Sequence, residues 1–286
     1  MGFFSKLFEK KVCSICGGEI GLLGNRKLED GNCCKNCARK LSPWFEERRH
    51  STVDQIKEQL AYREENAKAL QGFRVSKVIG ERYKMYIEEV NGVPTRFLVS
   101  DADSYMDENP DIIEFKDLLS CTSDVQSDER EVKRDDGNGN EVSYSPPRYE
   151  TDYDFHIKMQ IGNNPYFDDI EFQLNSNTVT LETRGASTGN FMGLRFTNGP
   201  VDLSSPHEQQ RYQEYMDMCQ EIEQVVQRSR MSPQEVAAAA EPQIAESQAA
   251  EPQAAEPQAP AGPKFCPNCG AAADGGKFCQ YCGAKF

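Results

Sequence analysis

Eight of the chain's eleven cysteines fall into four C-x-x-C pairs, Cys13/Cys16 with Cys34/Cys37 near the start and Cys266/Cys269 with Cys279/Cys282 near the end. A C-x-x-C segment folds back so that both thiolates reach one ion at about 2.3 Å, and two such segments complete a tetrahedron. Four sulfurs leave no position for water or substrate, so each tetrad is expected to hold one structural zinc ion, two in all. The Cys-Pro-Asn-Cys-Gly run at 266–270 is shared with rubredoxin-like iron sites, but a tethered ribbon with no attached redox domain favours zinc. Cys33 neighbours Cys34, yet only Cys34 has the two-residue spacing to Cys37, which leaves Cys33 for packing or as a spare thiol. Cys121 and Cys219 lie in apolar contexts that favour burial over reactivity.

Other chemistry has little to stand on. Of the three histidines, His207 sits in a helix-start signal, His50 follows Arg48-Arg49, and His156 alternates with Phe155 and Ile157 as a strand residue does. The acidic pairs Asp101/Asp103 and Asp168/Asp169 flank turns, where aspartate is favoured in any case. The run Asp136-Gly137-Asn138-Gly139-Asn140 hints at a calcium loop but lacks the required glycine position and the closing glutamate, with Pro147 standing there instead. No catalytic residue is assigned, and the chain is expected not to be an enzyme.

At 286 residues the chain has room for one or two ordinary domains plus small metal-stapled modules. The start, Met1 to Lys11, is apolar and basic but too short to span a bilayer, and Lys6 occupies the place where a myristoylation signal needs Ser or Thr. Phe3, Phe4, Leu7 and Phe8 with Lys6, Lys10 and Lys11 form at most a weak interfacial segment. With no secretory signal and with cysteines in metal-type pairs, a reducing cytoplasm is the expected compartment. Net charge is −14, but residues 1–50 hold ten Lys/Arg against six Asp/Glu and residues 264–286 three Lys against one Asp, so the middle carries the acid. Such a middle repels phosphate backbones and confines any nucleic-acid binding to the metal modules.

Local signals then divide the chain after an N-terminal tail (1–11). The finger (12–45) reads as a knuckle at 13–18, a short hairpin of Glu19–Leu23 with Arg26–Glu29 through Gly24-Asn25, and a helix opening at the second cysteine pair, which together make a treble-clef-like module. A connecting helix (51–71) starts at the Thr52/Gln55 capping box. Short β-branched and aromatic runs from Phe73 onward predict an antiparallel sandwich or barrel (73–229). It closes with a helix that opens at Ser205-Pro206-His207-Glu208 and presents Tyr212, Met216, Cys219, Ile222 and Val226 on one face. Pro146-Pro147 is expected between strands. Residues 232–263, built of Ala, Glu, Pro and Gln, read as a linker spanning roughly 30 Å as a coil and up to about 90 Å when extended. Residues 264–286 read as a zinc ribbon. The fold class is therefore α+β multidomain.

Three resemblances follow from these residues. Cys13-Ser14-Ile15-Cys16-Gly17-Gly18 through Leu28, with Cys34-Lys35-Asn36-Cys37-Ala38 through Trp44, closely resembles an uncharacterised bacterial family of N-terminal four-cysteine domains, which implies metal binding without naming an activity. The last module is similar to the widespread bacterial zinc ribbons, tethered interaction modules. Strands closed by one C-terminal helix resemble the pleckstrin-homology-like superfold, whose members bind lipids or peptides; the pattern carries no site residue across. The leading expectation is a cytoplasmic, non-catalytic adaptor with a protein partner, an anionic lipid being the second candidate ligand. The alternative is a nucleic-acid-associated regulator using Arg26, Lys27, Lys35, Arg39 and Lys40. An enzyme in the β domain, with a deep pocket at His156 or clustered carboxylates, ranks last.

Overall fold

A computed structural model describes residues 11–240, which lie in one compact unit ending at Glu241; the remaining linker and the Cys266/Cys269/Cys279/Cys282 ribbon lie outside the described residues. The finger contains β1 (Lys11–Val12), β2 (Glu19–Ile20), β3 (Asn25–Lys27), β4 (Asn32–Cys34) and α1 (Lys35–Ala38). Its hairpins are β1/β2 and β3/β4, not the predicted pairing of 19–23 with 26–29. Residues 21–24 form a turn, Gly24 N–H donating to Gly21 O at 2.9 Å, that hands the chain from one hairpin to the next.

α2 (Val53–Leu70) begins where the sequence places it, with both halves of the Thr52/Gln55 capping box made. Its buried stripe is Ile56, Gln59, Arg63, Asn66 and Leu70, so polar side chains fill the middle of its buried face.

Two sheets follow. The first contains β5 (Lys77–Ile79), β6 (Lys84–Val90), β7 (Val93–Ser100) and β8 (Ile113–Glu114) in that order, all antiparallel. Both of its faces are covered. Ile79, Met85, Ile87, Phe97, Val99 and Ile113 join the main core, while Tyr86 and Leu98 on the other face pack with Leu70 at the end of α2 and with Phe73. That double burial explains the unbroken apolar triplets Met85-Tyr86-Ile87 in β6 and Phe97-Leu98-Val99 in β7. The sharp turn from β5 requires Gly80, whose φ is +114° and where a Cβ would collide with the Tyr83 carbonyl. Gly80→Ala is expected to cost about 2 kcal/mol or more, read as a lowered urea midpoint with unchanged slope; a change below a few tenths would contradict the required geometry.

The second sheet is built on β9 (Leu118–Asp135) and β10 (Glu141–Ile161), a hairpin far longer than the separate strands predicted for this stretch. β10 also pairs with β11 (Asp169–Gln173) and β12 (Val179–Arg184), and β15 (Val201–Asp202) pairs with β12. β13 (Ser187–Phe191) and β14 (Leu194–Asn198) make a separate hairpin. Pro146 and Pro147 lie within β10, not between strands. Residues 144–147 bulge out between the Ser143↔Lys133 and Arg148↔Val132 pairs, so the prolines break no ladder hydrogen bond.

Phe155, Ile157, Met159, Ile170 and Phe172 of the second sheet meet the first sheet in one core, sealed by α3 (Pro206–Arg228) through Tyr215, Cys219, Ile222, Val225 and Val226. The α3 capping box is made as predicted, but Tyr215 is the fully buried tyrosine and Tyr212 only packs against the core. Among the described residues no strand pairing joins the two sheets, so the domain is no closed barrel. Residues 233–240, expected to belong to the linker, form α4 (Pro233–Ala240), capped by Ser232 and with Val236 buried. Among the described residues no helix is long and apolar enough to cross a membrane.

Candidate metal centre

The first C-x-x-C pair lies on the tight turn between β1 and β2. Cys13 N–H donates to Gly18 O at 2.8 Å and Gly17 N–H to Cys13 O at 2.9 Å, a closure that needs the φ of +73° at Gly17. The second pair lies where β4 passes into α1. Cys34 is the N-cap, its Sγ accepting from Cys37 N at 3.4 Å, so one residue begins a helix and offers a ligand.

These two corners bring the Sγ atoms of Cys13, Cys16, Cys34 and Cys37 within 4.8 Å of one another. Cys13 Sγ lies 3.9 Å from Cys37 Sγ, and Cys16 Sγ 3.8 Å from Cys34 Sγ. A tetrahedron with metal–sulfur bonds of about 2.3 Å has edges of about 3.8 Å, so these two separations match zinc's and the grouping of all four thiols is compatible with a zinc ion. Cys13 and Cys37 are buried and Cys16 is exposed, which leaves one corner open to metal entry. Burial pushes the Cys13 thiol up, but backbone N–H groups of Cys16, Cys34 and Ile15 outweigh it and bring its pKa down to about 6. Cys37 is pushed up by burial and by hydrogen bonds with the neighbouring thiols. The cluster thus offers one ready thiolate at Cys13 and holds a proton on Cys37 that a bound cation must expel.

Cys33 is fully buried between Leu28, Leu41 and Ile56, and burial raises its pKa to about 11. This is the packing role expected for it. Cys121 is raised to about 12 and Cys219 is also raised, both chiefly by burial.

The finger is joined to the β body through a buried polar network with no local sequence signature. Arg63 of α2 donates Nη1–H to Asp111 Oδ1 at 2.6 Å, Nε–H to Lys40 O at 3.2 Å, and Nη2–H to Asn109 O. Ser42 Oγ–H donates to the other Asp111 oxygen at 2.7 Å. Asn66 Nδ2–H reaches Pro110 O at 2.8 Å and its Oδ1 accepts from Ile112 N at 2.9 Å. Side chains of Arg63 and Asp111 are only 5% and 0% exposed, so this ion pair is sealed from water at the meeting of finger, helix and the segment leading to β8. A second tie lies at the start of α2. Asp30 Oδ1 accepts from Val53 N at 2.7 Å, and a side chain at Gly31 would run into Val53 and Ser14.

The five cations grouped from the sequence do not share one cavity. Arg26 and Lys27 line a cleft of about 800 Å³ with Arg48, Arg49 and His50, whereas Arg39 and Lys40 line another of about 510 Å³ beside Cys16 and Cys37. Lys35 lines neither. His156 lies in β10 opposite Gln173, its Nδ1 3.2 Å from a Glu171 oxygen at an angle that makes no hydrogen bond.

Residues 11–59 match a domain of unknown function, DUF4428. The matched stretch takes in all four clustered cysteines and continues into the first half of α2, where Ile56 packs against Leu28 and Leu41 of the finger. No curated protein and no solved structure matches the chain.

Proposed function

We propose that this chain is a non-catalytic adaptor in which a structural zinc finger is fixed to a β-rich body that binds a protein partner. The observation that carries the reading is the closed set of four thiols at a spacing compatible with zinc, tied through Arg63 and Asp111 to the body. Four sulfur ligands saturate zinc and so give shape without a reactive position. Two antiparallel sheets sealed by a C-terminal helix support a pleckstrin-homology-like reading of the body, and the second tetrad, Cys266, Cys269, Cys279 and Cys282, is proposed to hold a second zinc on its tether.

Elemental mass spectrometry of reducibly purified protein tests the metal part. The full chain is expected to hold two zinc ions and a chain ending at Glu241 one; iron, or no metal after reconstitution, overturns it. In-cell cross-linking tests the adaptor part. Wild-type chain is expected to recover a stoichiometric partner that a Cys34→Ser/Cys37→Ser variant, whose β body still stands, retains, and recovery no different from an unrelated control protein ends the reading.

A further inference from the structure

The finger carries an exposed apolar tip set among unneutralised cations. Leu22 and Leu23, in the turn between β2 and β3, are 83% and 92% exposed, the latter the most exposed of the large apolar side chains described. The Arg26 guanidinium donates to the Leu23 carbonyl at 3.3 Å, which places a cation directly beside the tip. Behind it opens the cleft of Arg26, Lys27, Arg48, Arg49 and His50, in which Glu29 is the single carboxylate.

Elsewhere among the described residues Arg63, Arg96, Arg130, Arg148, Arg211 and Arg228 form ion pairs while scattered cations such as Arg82, Arg184 and Arg230 form none; this cleft differs in gathering several unpaired cations in one place. Among the described residues Arg26, Lys27, Arg48 and Arg49 form none; Arg48 donates only to the Lys27 carbonyl, at 2.9 Å. A protein with net charge −14 has carboxylates to spare, so leaving these four unmatched points to an external anion. The two leucines narrow which one. A nucleic-acid duplex offers phosphates but keeps most of its apolar base faces stacked inside, whereas an anionic bilayer offers phosphates at its surface and acyl chains immediately beneath. The chain also enters the finger next to the tip. Lys11 pairs with Ile20, two residues before Leu22, and the preceding residues include Phe3, Phe4, Leu7 and Phe8 among Lys6 and Lys10. The acidic body does not prevent this, because screening confines its repulsion to about 8 Å at physiological salt.

We infer that the finger is a membrane-docking module: Leu22 and Leu23 enter the interface of an anionic bilayer while Arg26, Lys27, Arg48 and Arg49 hold its lipid phosphates. This is independent of the adaptor reading, since a docked finger needs no protein partner.

The test is flotation of the zinc-loaded full chain with vesicles of phosphatidylcholine alone and with roughly a third phosphatidylglycerol added. Binding is expected only to the anionic vesicles and is expected to weaken as salt rises. Leu22→Ser/Leu23→Ser and Lys27→Glu/Arg49→Glu are each expected to weaken it about 10-fold or more, with zinc content and melting temperature unchanged. Absence of flotation at low salt overturns the proposal, as does equal binding to neutral vesicles. Loss on deleting residues 1–10 with none in the leucine variant assigns the anchor to the tail and also overturns it. Duplex DNA or RNA binding that survives the leucine change but not the charge reversal, without vesicle binding, replaces it with the nucleic-acid reading.

Discussion

Removal of metal is expected to unfold the finger while leaving the β body standing. Hydrogen exchange after chelation, or in a Cys34→Ser/Cys37→Ser variant, should show protection lost across residues 11–45 and kept in the strands that carry Phe97, Phe155 and Ile157. The finger's own core is small, essentially Ile20, Leu28, Cys33, Leu41 and Ile56 with the ligands themselves, whereas structural zinc supplies on the order of 10 kcal/mol or more in modules of this size. The same site sets a pH dependence. Ligands must be thiolates, so protons compete with the metal. Cys13, brought down to about 6, resists that competition longest, while Cys37, pushed up, gains a proton readily once the metal leaves. Zinc is therefore expected to be retained at neutral pH and released as pH falls through and below about 6, followed with a colorimetric chelator. A finger that keeps its exchange protection without metal would remove zinc's structural role.

The second large effect is expected at the seal between finger and body. Arg63→Met leaves Asp111 buried beside Ser42 with its strongest donor gone, and Asp111→Leu leaves a buried guanidinium. Each is expected to cost about 3–5 kcal/mol in denaturant unfolding. The double variant is expected to lose much less than the sum, because replacing both partners with apolar groups removes the unpaired charge as well as the pair. Additive losses would show that the two side chains act separately. Since Lys40 O and Ser42 belong to the same network, the single variants should also raise exchange in the finger segment that follows α1.

Legibility from sequence followed the range over which each signal acts. The caps of α2 and α3 are four-residue signals, Thr52 with Gln55 and Ser205 with Glu208, and the helices start there. The N-terminal cysteine cluster was equally local: spacing alone names Cys13, Cys16, Cys34 and Cys37 and sets Cys33 aside. In the β9–β10 arm the strand at 130–134 and the glycine turn at 136–139 were legible, but residues 141–152 were not, because Glu141 and the two prolines argue against strand on propensity. Their pairing is held by contacts across the hairpin, as in Arg130 with Glu150 at 2.7 Å. The buried network was invisible for a related reason. Arg63 and Asn66 are ordinary solvent-facing residues on a helix until Asp111 and Pro110, more than forty positions away, close over them. Nothing within one turn of α2 announces that.

Among the described residues, the three cysteines outside the four-thiol cluster bear on how this unit can be watched. At neutral pH a thiol with a pKa of about 11 is ionised in about one molecule in ten thousand, and Cys33, Cys121 and Cys219 are all held in that protonated direction by burial. Electrophiles react with thiolates, so within the described unit these three are silent background. Alkylation of a chain ending at Glu241 is then expected to read chiefly the four ligand sulfurs, and the rate at which label appears becomes a clock for metal departure that needs no engineered labelling site.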